Sequence, residues 1–171
     1  MRATLLCLGI SISACCFAQN PSDPQKTPKR KTLHANQNVL RERGSAALHS
    51  EYARETTGRM NECPNANEML SINKCMDEEF ATTQKNYLAY VRSIGGLLRL
   101  EDPEFLNRSA IAKNFDKAEL NWTVYRDTQC RAYQNLDPGS IQISNYVDCE
   151  ISLTRAHLHE LESLYKKDLW E

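Results

Sequence analysis

Apolar residues return every three or four positions along most of this chain. Met69, Ile72, Met76, Phe80, Thr83, Tyr87, Val91, Ile94 and Leu98 form the longest such series, and that spacing puts them on one face of a long helix. Asn65 and Glu68 have capping-box spacing at its start, with Asn in place of Ser or Thr. Gly95-Gly96 weakens its last turns, and Glu101-Asp102-Pro103 ends it, because a residue before proline disfavours helical geometry. A second series, Ile111, Phe115, Ala118, Trp122, Tyr125 and Gln129, predicts a helix over about 103–133. Asp137-Pro138-Gly139-Ser140 then forces a reversal, since proline sets φ and glycine accepts positive φ. Val147, Ile151, Thr154, Leu158, Leu161 and Tyr165 give a last helix that ends near Lys166-Lys167, where positive charge suits a helix C-terminus. Upstream, Leu40, Ala46, Ala47, Leu48, Tyr52 and Ala53 mark a modest amphipathic helix whose docking the pattern does not decide.

These elements predict an all-α fold, a small disulfide-stapled bundle of about three to four helices with antiparallel hairpins. With 171 residues, 41% hydrophobic and 25% charged, the chain accommodates one domain plus a signal and a tail. Six glycines, six prolines and no spaced series of short β-branched runs argue against an all-β fold. Residues 1–18 read as a signal peptide: Met1-Arg2, an apolar run from Ala3 to Ala14, and Ala18 as the small residue before the cut. That run is shorter than the ~20 residues a membrane span needs. Ile12-Ser13-Ala14-Cys15 also resembles a lipobox, in which Cys15 would be lipidated. Residues 19–37, with Pro21, Pro24 and Pro28 among Lys26, Lys29, Arg30 and Lys31, read as a disordered basic linker. An N-terminal helix over 38–60 and a helical domain over 61–171 follow.

Of seven cysteines, Cys7, Cys15 and Cys16 fall in the signal region and leave Cys63, Cys75, Cys130 and Cys149. An even number suits an oxidising compartment. Three pairings are possible, and sequence does not strictly choose among them. Nearest neighbours are expected, Cys63 with Cys75 and Cys130 with Cys149, because each pair closes a loop across a turn signal. Zinc would need close pairs such as C-x2-C, which do not occur. No metal or cofactor is expected.

Trp122, Arg126 and Cys130 are successive i, i+4 neighbours, so the guanidinium lies beside the indole and reads as a structural cation. Asp127 is placed to pair with Arg126 or Arg131. Thr154 is expected to bond a backbone carbonyl of its own helix. His157 and His159 are two apart and fall on different sides of a helix, which makes them poor partners for a metal or for catalysis. No nucleophile with base and orienter is apparent, nor a glycine-rich phosphate loop.

Ala118-x3-Trp122-x3-Arg126-Asp127-x2-Cys130, then Gly139-Ser140, then Cys149-x4-Thr154-Arg155-x2-Leu158, resembles the N-terminal domain family of the lysozyme inhibitor LprI, small exported bacterial helical domains. Cys63 and Cys75 fall where that family places its first pair, and the resemblance covers roughly Cys63 to Tyr165. Thr83, Asn86-Tyr87 and Tyr90 depart from the family's Asp and Leu-Asn before Tyr, and His157 stands where arginine is usual. The resemblance implies an exported inhibitor of lysozyme or a related peptidoglycan hydrolase, periplasmic or lipid-anchored at Cys15. Residues 61–171 carry 12 Lys+Arg and 18 Asp+Glu, a balance that would attract a basic hydrolase. Candidate partner residues are Asp77, Glu78 and Glu79, with Glu101 and Asp102 in the following loop. The alternative is a periplasmic envelope adaptor without inhibitory activity. Neither reading involves nucleic acid, and a membrane enters only through a lipid on Cys15.

Overall fold

The computed structural model describes residues 27–57, 63, 68–100, 108–136 and 141–170. Four helices follow one another: α1 Thr27–Thr57, α2 Met69–Arg99, α3 Arg108–Gln134 and α4 Ile141–Leu169. Each runs antiparallel to the one before it. Going up α1, Leu40 packs beneath Gly96 of α2, and Glu51 further along meets Thr83. Going up α3, Asp116 meets Arg99 of α2 and Arg126 meets Gln84. Phe115 of α3 faces Tyr165 of α4, while Cys130 joins Cys149. The helices therefore form an up-down-up-down bundle, and α2 packs against all three others.

Both disulfides take the expected nearest-neighbour pairing. Cys63 joins Cys75 with Cα atoms 5.9 Å apart, and Cys130 joins Cys149 at 5.5 Å. Closing loops of this size contributes about 3 kcal/mol each by loss of unfolded-state entropy. Both lie at the same end of the bundle, where Ser144 also donates a 2.7 Å hydrogen bond to Asn73.

The apolar core fills the opposite half. Tyr87, Tyr90, Ile94 and Leu98 of α2 pack with Ala47 and Leu48 of α1, Ala112 and Phe115 of α3, and Leu158 and Leu161 of α4. Trp170 closes this end, stacked on Tyr90 with ring centroids 5.4 Å apart, and its Nε1 donates to the Arg41 carbonyl. A Cβ on Gly44 would come within 2.8 Å of Trp170 and 3.0 Å of Ser93, so glycine sets the close approach of α1 to α2. Gly95 and Gly96 do not end α2, because Phe115 and Leu40 cover them.

Several expectations need correction. The linker expected over 19–37 is helical from Thr27 onward. Pro28 sits in the first turn, where it removes no intrahelical bond, and no glycine or proline interrupts 29–43, so the docked helix extends backward at little cost. α2 starts at Met69 rather than after Asn65, and its reciprocal start uses Glu68 and Ser71, with Ser71 Oγ accepting from the Glu68 N–H at 3.3 Å. On α3 Phe115 and Trp122 face the core as expected, and the other inward positions lie one residue after the expected ones. Ala112, Phe115, Glu119, Arg126 and Cys130 are buried, whereas Ile111, Ala118, Tyr125 and Gln129 are exposed. Two inward positions carry charge, which hides the true face from an apolar pattern. On α4 every expected core position from Val147 to Leu161 is buried. The signal region, including Cys15, lies outside the described residues.

Candidate functional site

Charged and polar side chains, bonded to one another, make up much of the disulfide half of the bundle, with Val147, Ile151 and Cys130 buried beside them. Glu51 of α1 is buried, and its carboxylate accepts from Thr83 at 3.1 Å, from Asn86, and from Arg155 Nε at 3.4 Å. Arg155 also donates to Glu79 at 2.5 Å, and Arg54 closes the ring by pairing with Glu79 and with Glu51 at 3.7 Å. Three helices are thus tied by one set of charges. Removing a single member would strand a buried charge, which costs far more than an exposed ion pair returns.

Arg126 organises a second set. Its Nη1 donates to Gln84 at 2.8 Å and to Thr154 at 3.0 Å, and its guanidinium carbon lies 5.2 Å from the Trp122 ring and 5.7 Å from Phe80. Nε sits 3.5 Å from Glu150, an ion pair without hydrogen-bond geometry, and it has no hydrogen-bond partner. Thr154 donates to the Glu150 carbonyl at 2.6 Å, the back-bond expected of it. Asp127 turns away from Arg126 and pairs with Arg131 at 3.0 Å and with the Tyr146 hydroxyl at 2.6 Å. Those contacts hold its carboxyl below the usual carboxylate range, the Arg131 bond contributing most.

A third group lies midway along the bundle. His157 stacks on Trp122 with ring centroids 4.0 Å apart and 10° between planes. Its Nδ1 is 2.9 Å from Glu160 and its Nε2 is 3.2 Å from Glu119, which also accepts from Tyr87 at 2.9 Å. Both ring nitrogens face carboxylates, and only the protonated ring can donate to both. Burial opposes the charge, but the two carboxylates outweigh it and raise the His157 pKa. Burial also raises the Tyr87 hydroxyl, with Glu119 adding to it. His159 is exposed and bonds Glu55 at 2.6 Å while stacking on Tyr52, so the two histidines are apart as their spacing requires.

The motif residues therefore come together: Arg126, Cys130, Cys149, Thr154 and Arg155 belong to the disulfide half, and Trp122 stands at its boundary with the apolar core. Gly139 and Ser140 lie outside the described residues, as do Glu101 and Asp102. The acidic candidates separate. Asp77 and Glu78 are exposed on α2, while Glu79 turns inward to Arg54 and Arg155 and is not open to a partner. Glu79 falls one turn from Thr83 on the inward face, a position its acidic neighbours disguised. Sequence reasoning also missed Glu51, Glu119 and Glu150, because an isolated carboxylate in a helix reads as a solvated one. A shallow depression on α4, lined by His159, Glu162, Ser163, Lys166 and Lys167, has one carboxylate, and Tyr52 bonds it. Among the described residues no cluster of three or more His, Cys, Asp or Glu is placed to hold a metal ion, and no helix is long and apolar enough to cross a membrane.

The family model described as lysozyme inhibitor LprI matches residues 59–161. That span holds both disulfides, α2, α3 and most of α4, and it begins just after α1. No curated protein and no solved structure matches the chain.

Proposed function

Because the chain belongs to the lysozyme inhibitor LprI family, we propose that it is an exported, non-catalytic binding protein that inhibits lysozyme or a related peptidoglycan hydrolase. The match over residues 59–161 carries this reading. Two features support it. Two disulfides suit an oxidising compartment outside the cytoplasm, either the periplasm or a membrane surface reached through a lipid on Cys15. The buried ionisable groups are committed to one another across helices, an arrangement that holds a scaffold rigid and leaves recognition to the surface. On that surface Asp77 and Glu78 offer a basic hydrolase its complement, which speeds encounter more than it adds affinity.

A second reading, an envelope adaptor without inhibitory activity, draws on the same interior. The described motif residues Trp122, Arg126, Cys130, Thr154 and Arg155 stabilise the fold, so a match resting on them says little about the target face. Lysis of a peptidoglycan suspension by lysozyme, with the oxidised chain from Gln19 titrated in at low and physiological salt, separates the two. Dose-dependent protection that weakens with salt supports inhibition. Unimpeded lysis at large molar excess counts against that lysozyme as the target and favours the adaptor.

A further inference from the structure

At the disulfide end the inward positions are polar, with Asn73 bonded to Ser144 and Gln134 partly buried, while apolar side chains of the same helix ends lie open, Met69 44%, Tyr133 44%, Ile143 54%, Leu70 81% and Leu136 72% exposed. The Ser144–Asn73 bond and the Cys130–Cys149 bridge hold these three helix ends together, so the five side chains share one tip. The opposite end is closed by Trp170 over Tyr90 and Gly44. Exposed apolar residues elsewhere stand on the sides of helices, Leu164 singly on α4 and Leu120, Val124 and Tyr125 as a row along one helix, α3.

Charge follows the same axis. Near the tip the exposed Glu68, Asp77 and Glu78 of α2 outnumber Lys74 and Arg131, while Arg92, Arg99, Lys113, Lys117, Lys166 and Lys167 outnumber Asp116 and Asp168 toward the far end. A protein with an acidic tip and a basic far end orients a cationic partner toward the tip before contact. An apolar centre with a charged rim is also the anatomy of a specific protein interface. We infer that this tip is the docking face for a cationic protein surface with an apolar centre of its own, the surface of a lysozyme-class hydrolase. The inference rests on the inhibitor reading for the identity of the partner. Asp77 and Glu78 act as the steering rim, and Leu70 and Leu136 as the contact centre.

The test uses the full oxidised mature chain and lysozyme, reading both binding by titration calorimetry and protection in the lysis assay. Leu70→Asp with Leu136→Asp changes two exposed positions, so thermal unfolding should be unchanged while affinity falls by at least roughly tenfold, the loss expected at an interface centre. Leu164→Asp, at an exposed site on the side of α4, should bind like the parent. Asp77→Lys with Glu78→Lys should slow association and flatten its salt dependence. Binding without protection, abolished by the tip variant, sustains the docking face and sinks the inhibitor reading. Protection that survives the tip variant overturns the docking face and leaves the inhibitor reading standing. Equal loss in Leu164→Asp also overturns the docking face, and absence of all binding by the parent overturns both.

Discussion

Where α1 begins and α4 finishes, the helices meet over Ile94, Leu98, Ala112, Phe115, Leu158 and Leu161; toward the disulfides the facing positions hold Thr83, Arg126, Glu150 and Thr154. The first half is held by area removed from water, which has no direction and tolerates rearrangement. The second is held by directed bonds among desolvated charges, each of which needs its partner in place. Two disulfides sit in the half whose interior is polar. Cross-links of that kind stabilise a fold where burial of apolar surface contributes less.

The widest gap between the halves should appear when one side chain is removed from each. Arg126→Ala leaves the buried Glu150 carboxylate with the Tyr146 hydroxyl and no cation, and Gln84 and Thr154 without their donor, an expected loss of about 3–5 kcal/mol. Leu158→Ala opens a cavity in the apolar half at about 2–5 kcal/mol. The two figures overlap, so rescue decides between the mechanisms. Replacing the pair together, Arg126→Met with Glu150→Leu, should recover most of the first loss in urea unfolding, because no charge is then left buried. If the double variant is as unstable as Arg126→Ala alone, the disulfide half is held by packing like its counterpart and the contrast disappears.

The same division explains what the chain showed in advance. Four helices and the inward face of α4 follow from spacing, because Val147, Ile151, Leu158 and Leu161 are apolar and buried. On α3 Phe115 and Trp122 came out right and the other positions one residue early, because the true stripe passes through Glu119 and Arg126 while Ile111 and Tyr125 are exposed. On α2 the second buried row includes Tyr90, on which Trp170 stacks, and Ser93, which Gly44 of α1 approaches, and nothing in the weak pattern of α1 announced its contact. Spacing did place Arg126 beside Trp122, since i, i+4 neighbours touch whatever the tertiary fold. It could not place Glu51 against Arg155, because that bond joins residues 104 positions apart.

His157 stands at the boundary and makes the comparison sensitive to pH. Burial works against its charge, but the bonds to Glu119 and Glu160 outweigh it, so the folded pKa lies above the ordinary value of 6.5. The stabilisation is therefore complete below about pH 6.5 and is lost as pH rises through the folded value. Groups facing the ring are Tyr87 from α2, Glu119 and Trp122 from α3 and Glu160 from its own helix. In the apolar half Tyr90 is pushed up to about 12 by burial first and Glu162 second, so it stays neutral across that range. Unfolding midpoints from pH 5 to 8 should fall with pH in the parent and run flatter in His157→Gln. An unchanged slope in the variant would show that another group sets it.

The smallest effect belongs to the apolar end, where Arg99 and Asp116 pair with 51% and 52% of their side chains exposed. Water screens both partners, and two long side chains lose freedom to meet, so Arg99→Ala should cost only about 0.2–1 kcal/mol. Arg54 pairs with Glu79 at the other end with 26% and 11% exposed, and it also touches the buried Glu51. Arg54→Ala should cost more, because Glu79 would then depend on Arg155 alone. Salt sharpens the comparison: at 1 M the screening length shrinks to about 3 Å, which cancels the exposed pair and spares the shielded one. The Arg99→Ala loss should then vanish in concentrated salt while most of the Arg54→Ala loss persists. Equal salt sensitivity in the two variants would mean that the charges of the disulfide half are open to solvent, and that its directed bonds do not depend on burial.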